Sequence, residues 1–297
     1  MDFLWQDNAD PDMLAAFAAA GVPMPMQQHP IYGAVLRRFG REVRHGIWRA
    51  AGAPVGLAQV ARRPGLTLLS RGPLWPDPEP AAPRLRDTSG GVLTIATPET
   101  PVAGRGLIPI LAQRQQAIWH LPGDAARLRA GLKQKWRSTL AQAERMAGTL
   151  TVRVSGKADA GWLYAAEGAQ RRARHYRALP PGFAEAWRAA APGSFLLYEA
   201  RKDGQPLAGM LILRHWPWAS YHLSWTGAEG RRHNAHRLLL WRAACDLQDD
   251  GFTALDLGDV NSRAAPGLAA FKAGTCAKIR ALGPTLLVLP RLTRRRW

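Results

Sequence analysis

Apolar residues in this chain recur in two rhythms. Up to about Leu121 the apolar runs are short and punctuated by Gly and Pro, the pattern of strands joined by turns. HGIWRA, PVGLAQVARR, LTLLSRGPLW, GGVLTIAT and QQAIWHL each read as a strand. AGAP separates the first two, and PETPVAGRGLIP forms a loop between the last two. Two helices precede them: one over 12–20 ended by Gly21, and a proline-started one in HPIYGAVLRRFGREV with Arg37 and Arg38 on its last turn. The proline-rich PDPEPAAPRLRD reads as a loop holding at most one helical turn.

From Asp124 to about Ala147 the period lengthens. Leu128, Leu132, Trp136, Leu140 and Ala143 fall at helical spacing, and Gly148 supplies the stop. Arg127, Arg129, Lys133, Lys135, Arg137 and Arg145 cover the remaining surface, opposed by Asp124 and Glu144. The segment is therefore an amphipathic helix with a basic outer side.

The second half repeats the plan of the first. TLTVRVS is a strand, Ala160 to Tyr176 a helix, and GFAEAWRAAA another helix. The strands SFLLYEARKDG, QPLAGMLILRH and ASYHLSWTG follow, then a long helix from about His233 to Asp250. ALDLGD is a strand, PGLAAFKAG a helix started by Pro266, and KIRAL and TLLVLP close the chain before a loose basic tail, RLTRRRW. GAPVGLAQVARRPGLTLLSRGP matches DGQPLAGMLILRHWPWASYHLSWTG as turn, Gly-containing strand, turn, strand. The expectation is an α/β (α+β) chain of two related domains with mixed, mainly antiparallel sheets flanked by helices. The first would span 1–148, including the basic helix 124–147. The second would span 149–297, with its tail packing back on the first.

Composition narrows the partners. The chain has 297 residues, 47% of them apolar, which suffices for one large or two modest cores. Lys and Arg number 40 against 22 Asp and Glu, a net charge of +18, which favours polyanions such as nucleic acid, anionic membrane or phosphorylated substrates. The excess is overwhelmingly Arg in an Ala-rich chain, so GC-rich coding is an equally available source of it. Two cysteines make no disulfide framework, and the eight histidines show no metal-ligand spacing beside an acid. MDFLWQDNADPDM lacks the charged start of a signal peptide, and no apolar run is long enough to span a bilayer. A soluble, cytoplasmic chain without a metal is expected.

Four phrases, in order, resemble the Fem family of peptidyltransferases: QQHPIYGAVLRRFG, GLAQVARRPGLTLLSRGPLW, LKQKWRSTLAQAER and GFTALDLGDVNSRAAPGLAAFKAGT. Tyr32 stands where that family's opening motif usually has tryptophan, Gly258-Asp259 replaces its double glycine, and no coiled-coil arm is present. The resemblance implies two tandem GNAT-like domains and amide formation on an amine acceptor. Its donor would be aminoacyl-tRNA, with no resident cofactor, and its acceptor a peptidoglycan precursor or other phosphorylated or small molecule. It also implies that Lys272 brings positive charge to the ester carbonyl or terminal phosphate, that Phe271 packs on the terminal adenosine, and that Arg37 meets a nucleotide-sugar pyrophosphate.

The residues themselves leave alternatives open. Asp256 and Asp259 flank the end of an apolar strand, where α/β sheets place ligand contacts; each is either a proton acceptor for the attacking amine or a turn and backbone partner. Arg37, Arg38, Lys135 and Arg137 suit phosphate binding or plain solvated surface. Tyr221 lines a pocket or fills core. A CoA enzyme would cradle pyrophosphate on a glycine-rich loop at GRRHNAHRLLLW, where Asn234 and His236 replace the glycines. His233 and His236 read as surface residues of the following helix. Acyl-CoA is thus the alternative donor, in polysaccharide or natural-product synthesis, and a non-catalytic basic nucleic-acid-binding module the third reading.

Overall fold

The computed structural model describes residues 1–76, 84–89, 92–263 and 265–290. The chain divides into two compact units, Met1–Gln115 with Ala281–Trp297, and Gln116–Arg280. The first unit holds strands β1 (Asp2–Gln6), β2 (Glu42–Ala50), β3 (Ala53–Arg63), β4 (Leu66–Ser70), β5 (Leu93–Thr97) and β6 (Leu107–Leu111). The second is built on β7 (Gln115–His120), β8 (Thr151–Ser155), β9 (Phe195–Lys202), β10 (Gln205–His215), β11 (Trp218–Thr226), β12 (Ala254–Asp259) and β13 (Lys278–Ala281). The last strand, β14 (Thr285–Val288), returns to the first unit.

The first sheet runs β1-β2-β3-β4-β5-β14-β6, antiparallel except for the β4–β5 pair. Two helices accompany it, α1 (Pro11–Ala19) and α2 (Pro30–Arg38). Both start on a proline, whose missing N–H costs nothing at a helix N-terminus. Asp10 caps α1 by accepting from the N–H groups of Asp12 and Met13, each at 3.1 Å. Ala51-Gly52 turns β2 into β3 with both residues at positive φ, the geometry that a two-residue hairpin requires.

The second sheet runs β13-β7-β12-β11-β10-β9-β8. Its helices are α3 (Ala125–Ala130), α4 (Gln134–Met146), α5 (Gly161–Arg174), α6 (Pro181–Ala190), α7 (Ala228–Arg232), α8 (Ala235–Asp249) and α9 (Pro266–Gly274). Asp203-Gly204 makes the β9–β10 hairpin as Ala51-Gly52 makes the other. Leu128, Leu132, Trp136 and Leu140 join Met210, Ile212, Leu239, Leu240 and Leu255 in one buried cluster. The apolar stripe expected at helical spacing is therefore the stripe that packs.

Several details differ from expectation. The basic segment is two helices, broken where the N–H of Lys133 bonds the Gly274 carbonyl at 3.0 Å instead of continuing the helix. The helix expected from His233 is likewise interrupted: Asn234 takes a left-handed conformation, φ 52°, between α7 and α8. The compact units do not part at residue 148. The strand β7 pairs with β12 and carries α3 and α4 into the second unit, while β14 inserts between β5 and β6 of the first. Residues 77–83 of the proline-rich loop and the 291–297 tail lie outside the described residues.

Candidate active site

The strands β11 and β12 run parallel and pair at Trp218–Ala254, Ala219–Leu255 and Ser220–Asp256. Both continue beyond that point, to Thr226 and Asp259, paired with β10 and β7 but, among the described residues, no longer with each other. The sheet therefore opens after Ser220 and Asp256. A parallel sheet that parts at its carboxyl ends is the usual place for a ligand.

On the β12 side of the opening, Asp256 is buried at 3% exposure. One of its oxygens, Oδ1, accepts from the Gln116 side chain at 2.6 Å and from the Gly258 N–H at 2.8 Å. This bond and the register shift between Asp256 and Gly258 turn the strand end. Gly258 has φ +82°, a conformation that side chains resist. The turn aims the Asp259 carbonyl at Lys272 Nζ, 2.7 Å away.

Lys272 lies in the last turn of α9 and is only 5% exposed. Burial lowers its pKa from 10.5 to about 8, while Asp256 and Asp259 pull the other way. The result is a dry ammonium with one carbonyl partner and two carboxylates in range, able to give its remaining protons to an incoming oxygen. Phe271, next to it, is half-buried with its ring centroid 6.0 Å from Trp136 and 5.3 Å from His236. The Arg237 guanidinium lies over the same ring at 5.7 Å.

On the β11 side, the Tyr221 hydroxyl meets His236 Nε2 at 2.8 Å and also the Ser224 hydroxyl. The other ring nitrogen of His236 is 3.0 Å from the Thr226 hydroxyl. Burial, and secondarily Arg237, lowers the His236 pKa to about 4, so the ring is neutral and bridges the two hydroxyls. Burial likewise pushes the Tyr221 phenol above its ordinary range. His236, expected as surface, is instead wedged in the second unit beside Phe271. Its only signal in the sequence was standing where a glycine was looked for, and that signal does not tell inward from outward.

The structure brings Asp256, Asp259, Phe271 and Lys272 together around the opening, with Tyr221 linked to Phe271 through His236. The other candidates stand elsewhere. Lys135 is exposed on α4, and Arg137 donates to the carbonyls of Ala130 and Leu132. Arg37, in the first unit, donates to the carbonyls of Asp7 at 2.6 Å and Val43 at 3.1 Å, a brace across that unit; Arg38 is exposed.

Residues 127–272, ending on Lys272, match the family model described as an acetyltransferase (GNAT) domain. No curated protein sequence matches the chain significantly. Among solved structures, the chain is similar to FemX, with TM-score 0.74 and 15% identity over 97% of this chain and 98% of that one. It is also similar to the C-terminal domain of a putative lysylphosphatidylglycerol synthetase from Agrobacterium fabrum, with TM-score 0.54 and 15% identity over 95% and 93%. A third is a tandem GNAT protein from the clavulanic acid biosynthesis pathway, with TM-score 0.53 and 14% identity over 96% and 97%. The segment holding the candidate site is thus the part of the chain that matches a GNAT domain. The chain as a whole has the fold of FemX and of that tandem GNAT protein. No helix among the described residues is long and apolar enough to cross a membrane.

Proposed function

We propose that this protein transfers an aminoacyl group from aminoacyl-tRNA to an amine acceptor, forming an amide. The observation that carries the reading is the buried ammonium of Lys272, held by the Asp259 carbonyl beside Phe271 where β11 and β12 part. The acceptor nitrogen attacks the ester carbonyl, the new C–N bond forms, and the C–O bond to the terminal ribose breaks. Charge builds first on the carbonyl oxygen and then on the leaving oxygen. The Lys272 ammonium donates to that oxygen, and Phe271 offers an apolar face to the terminal base. Asp259 takes the proton from the attacking amine, and Asp256, fixed by Gln116 and the Gly258 N–H, holds the strand end that positions both. One well-placed donor in such a site contributes about 3–4 kcal/mol to lowering the barrier.

The net charge of +18 supports a polyanionic donor, and the fold shared with FemX and a putative lysylphosphatidylglycerol synthetase supports an aminoacyl one. The acceptor in this reading is an amine on a phosphorylated cell-wall precursor or small molecule in the cytoplasm. Arg37, Arg38, Lys135 and Arg137 are the candidates for holding phosphates. The matched domain description favours one second reading, acyl-CoA as donor. Against it, Asn234 and His236 occupy the helix entry where a pyrophosphate cradle needs close backbone approach. Incubation with charged tRNA or acyl-CoA and a panel of amines, following donor loss and amide formation, separates the two. Consumption of neither donor overturns both readings.

A further inference from the structure

One sheet face of the first unit is apolar, half-buried at its centre (Leu68, Ile95 and Leu287) and exposed at Leu93 and along the edge strand β6. On β4, β5, β14 and β6, alternate residues point inward: Leu69, Ala96, Leu286, Val288 and Leu107 are buried in that unit's core. The intervening residues point the other way, because side chains alternate along a strand. The register sets them in a row across four strands, with Leu68 opposite Ile95, Ile95 opposite Leu287, and Leu287 opposite Ile108. Leu66 opposite Leu93 begins a second row. Leu93, Ile108 and Ile110 are 44%, 45% and 45% exposed, and Leu111 at the end of β6 is 65% exposed. A continuous aliphatic face four strands wide is a contact surface rather than scattered exposure.

Charge identifies what it meets. The four strands, LTLLS, LTIAT, TLLV and LIPIL, contain no acid. Arg63 lies opposite Leu66 at the rim, and Arg105 and Arg114 flank β6; all three are exposed. Between Thr88 and Gln115 the one carboxylate is Glu99, buried in an ion pair with Arg71 at 2.8 Å. Pro109, central in the edge strand, has no N–H for a further strand to use, which disfavours sheet extension by another protein. A lipid surface needs no such bond. Aliphatic side chains entering the headgroup region and flanking arginines near anionic headgroups are the two contributions that hold a peripheral protein on a membrane.

We propose that this face of the first unit docks on an anionic lipid surface. The proposal is independent of the transfer chemistry assigned to the second unit. Flotation with phosphatidylcholine vesicles, with and without phosphatidylserine, tests it. The full chain is expected to float with the mixed vesicles, to lose that binding as salt is raised, and to bind pure phosphatidylcholine at least about tenfold more weakly. The double variant Ile108→Asp with Ile110→Asp is expected to bind mixed vesicles at least about tenfold more weakly, with an unchanged melting temperature because both side chains already face solvent. Lys272→Ala is expected to bind vesicles as the unaltered chain does, which separates the surface from the candidate active site. If the unaltered chain ignores mixed vesicles, or the double Asp variant binds them equally well, the proposal is overturned. It is overturned too if the double Asp substitution dissolves a self-associated form in sedimentation velocity, since the face then belongs to a second copy of the chain.

Discussion

Lys272 Nζ lies 2.7 Å from the main-chain oxygen of Asp259, thirteen residues earlier in the chain. The bond joins the end of β12 to the last turn of α9, and Gly258 makes it geometrically available. That glycine sits at φ +82°, and a Cβ built on it would come within 3.6 Å of Nζ. The added methyl would touch the ammonium rather than clash with it, so the penalty of a side chain here is in the backbone.

Gly258→Ala should therefore destabilise the protein by about 1–2 kcal/mol, the cost of holding a side-chain-bearing residue in the left-handed region. Turnover should fall with it, because relaxing the turn swings the Asp259 carbonyl away from Lys272. Urea unfolding and single-turnover kinetics on one preparation check both; a variant with unchanged midpoint and rate would show that the turn tolerates other geometries.

Gly274 marks where α9 lies against α4. A Cβ there would fall 2.4 Å from the Trp136 ring. Gly274→Ala should overpack the site and cost about 1–3 kcal/mol, although alanine for glycine in a helix ordinarily stabilises. The melting temperature reads it directly, and a stabilised variant would contradict the close approach of α9 and α4.

Acid should weaken the fold through its buried histidines. His29, His45, His222 and His236 all have pKa values lowered by burial to about 4. Between pH 6.5 and about 4 the unfolded chain therefore binds protons that the folded chain refuses, so stability present above pH 6.5 is lost as pH falls through that window. The same experiment on His236→Gln should show a shallower slope. Equal slopes would mean that His236 is open to solvent in solution.

Lys272 titrates with the same sign in a higher pH window. With its folded pKa near 8 and its unfolded value at 10.5, the unfolded chain binds the extra proton between those values. Stability relative to Lys272→Met should accordingly rise as pH goes from about 8 toward 10.5. Activity should move the other way and decline as the ammonium is lost above pH 8. Lys272→Arg, which stays charged, should carry whatever activity it retains to higher pH.

Much of this was legible in the sequence. The stripe Leu128, Leu132, Trp136, Leu140 showed a buried helix face because its period is local, and PGLAAFKAG was bounded by its own Pro266 and Gly274. Two strands were not foreseen. In β1 only five residues alternate weakly, and in β6 Pro109 argued for a loop, yet an edge position tolerates it. The breaks at Lys133 and Asn234 come from tertiary hydrogen bonding and a left-handed residue, which leave no periodic trace. The same is true of His236: its partners Tyr221 and Thr226 lie on the strand β11, and only the fold brings that strand against its helix.

The account rests on the buried ammonium acting on the reacting oxygen, and donor turnover by Lys272→Ala tests that most directly. The substitution removes a charge from a dry site and should leave the melting temperature unlowered. Amide formation from charged tRNA should drop about 100- to 1000-fold, mostly in kcat. A folded Lys272→Ala protein that forms amide at the unaltered rate would contradict the account.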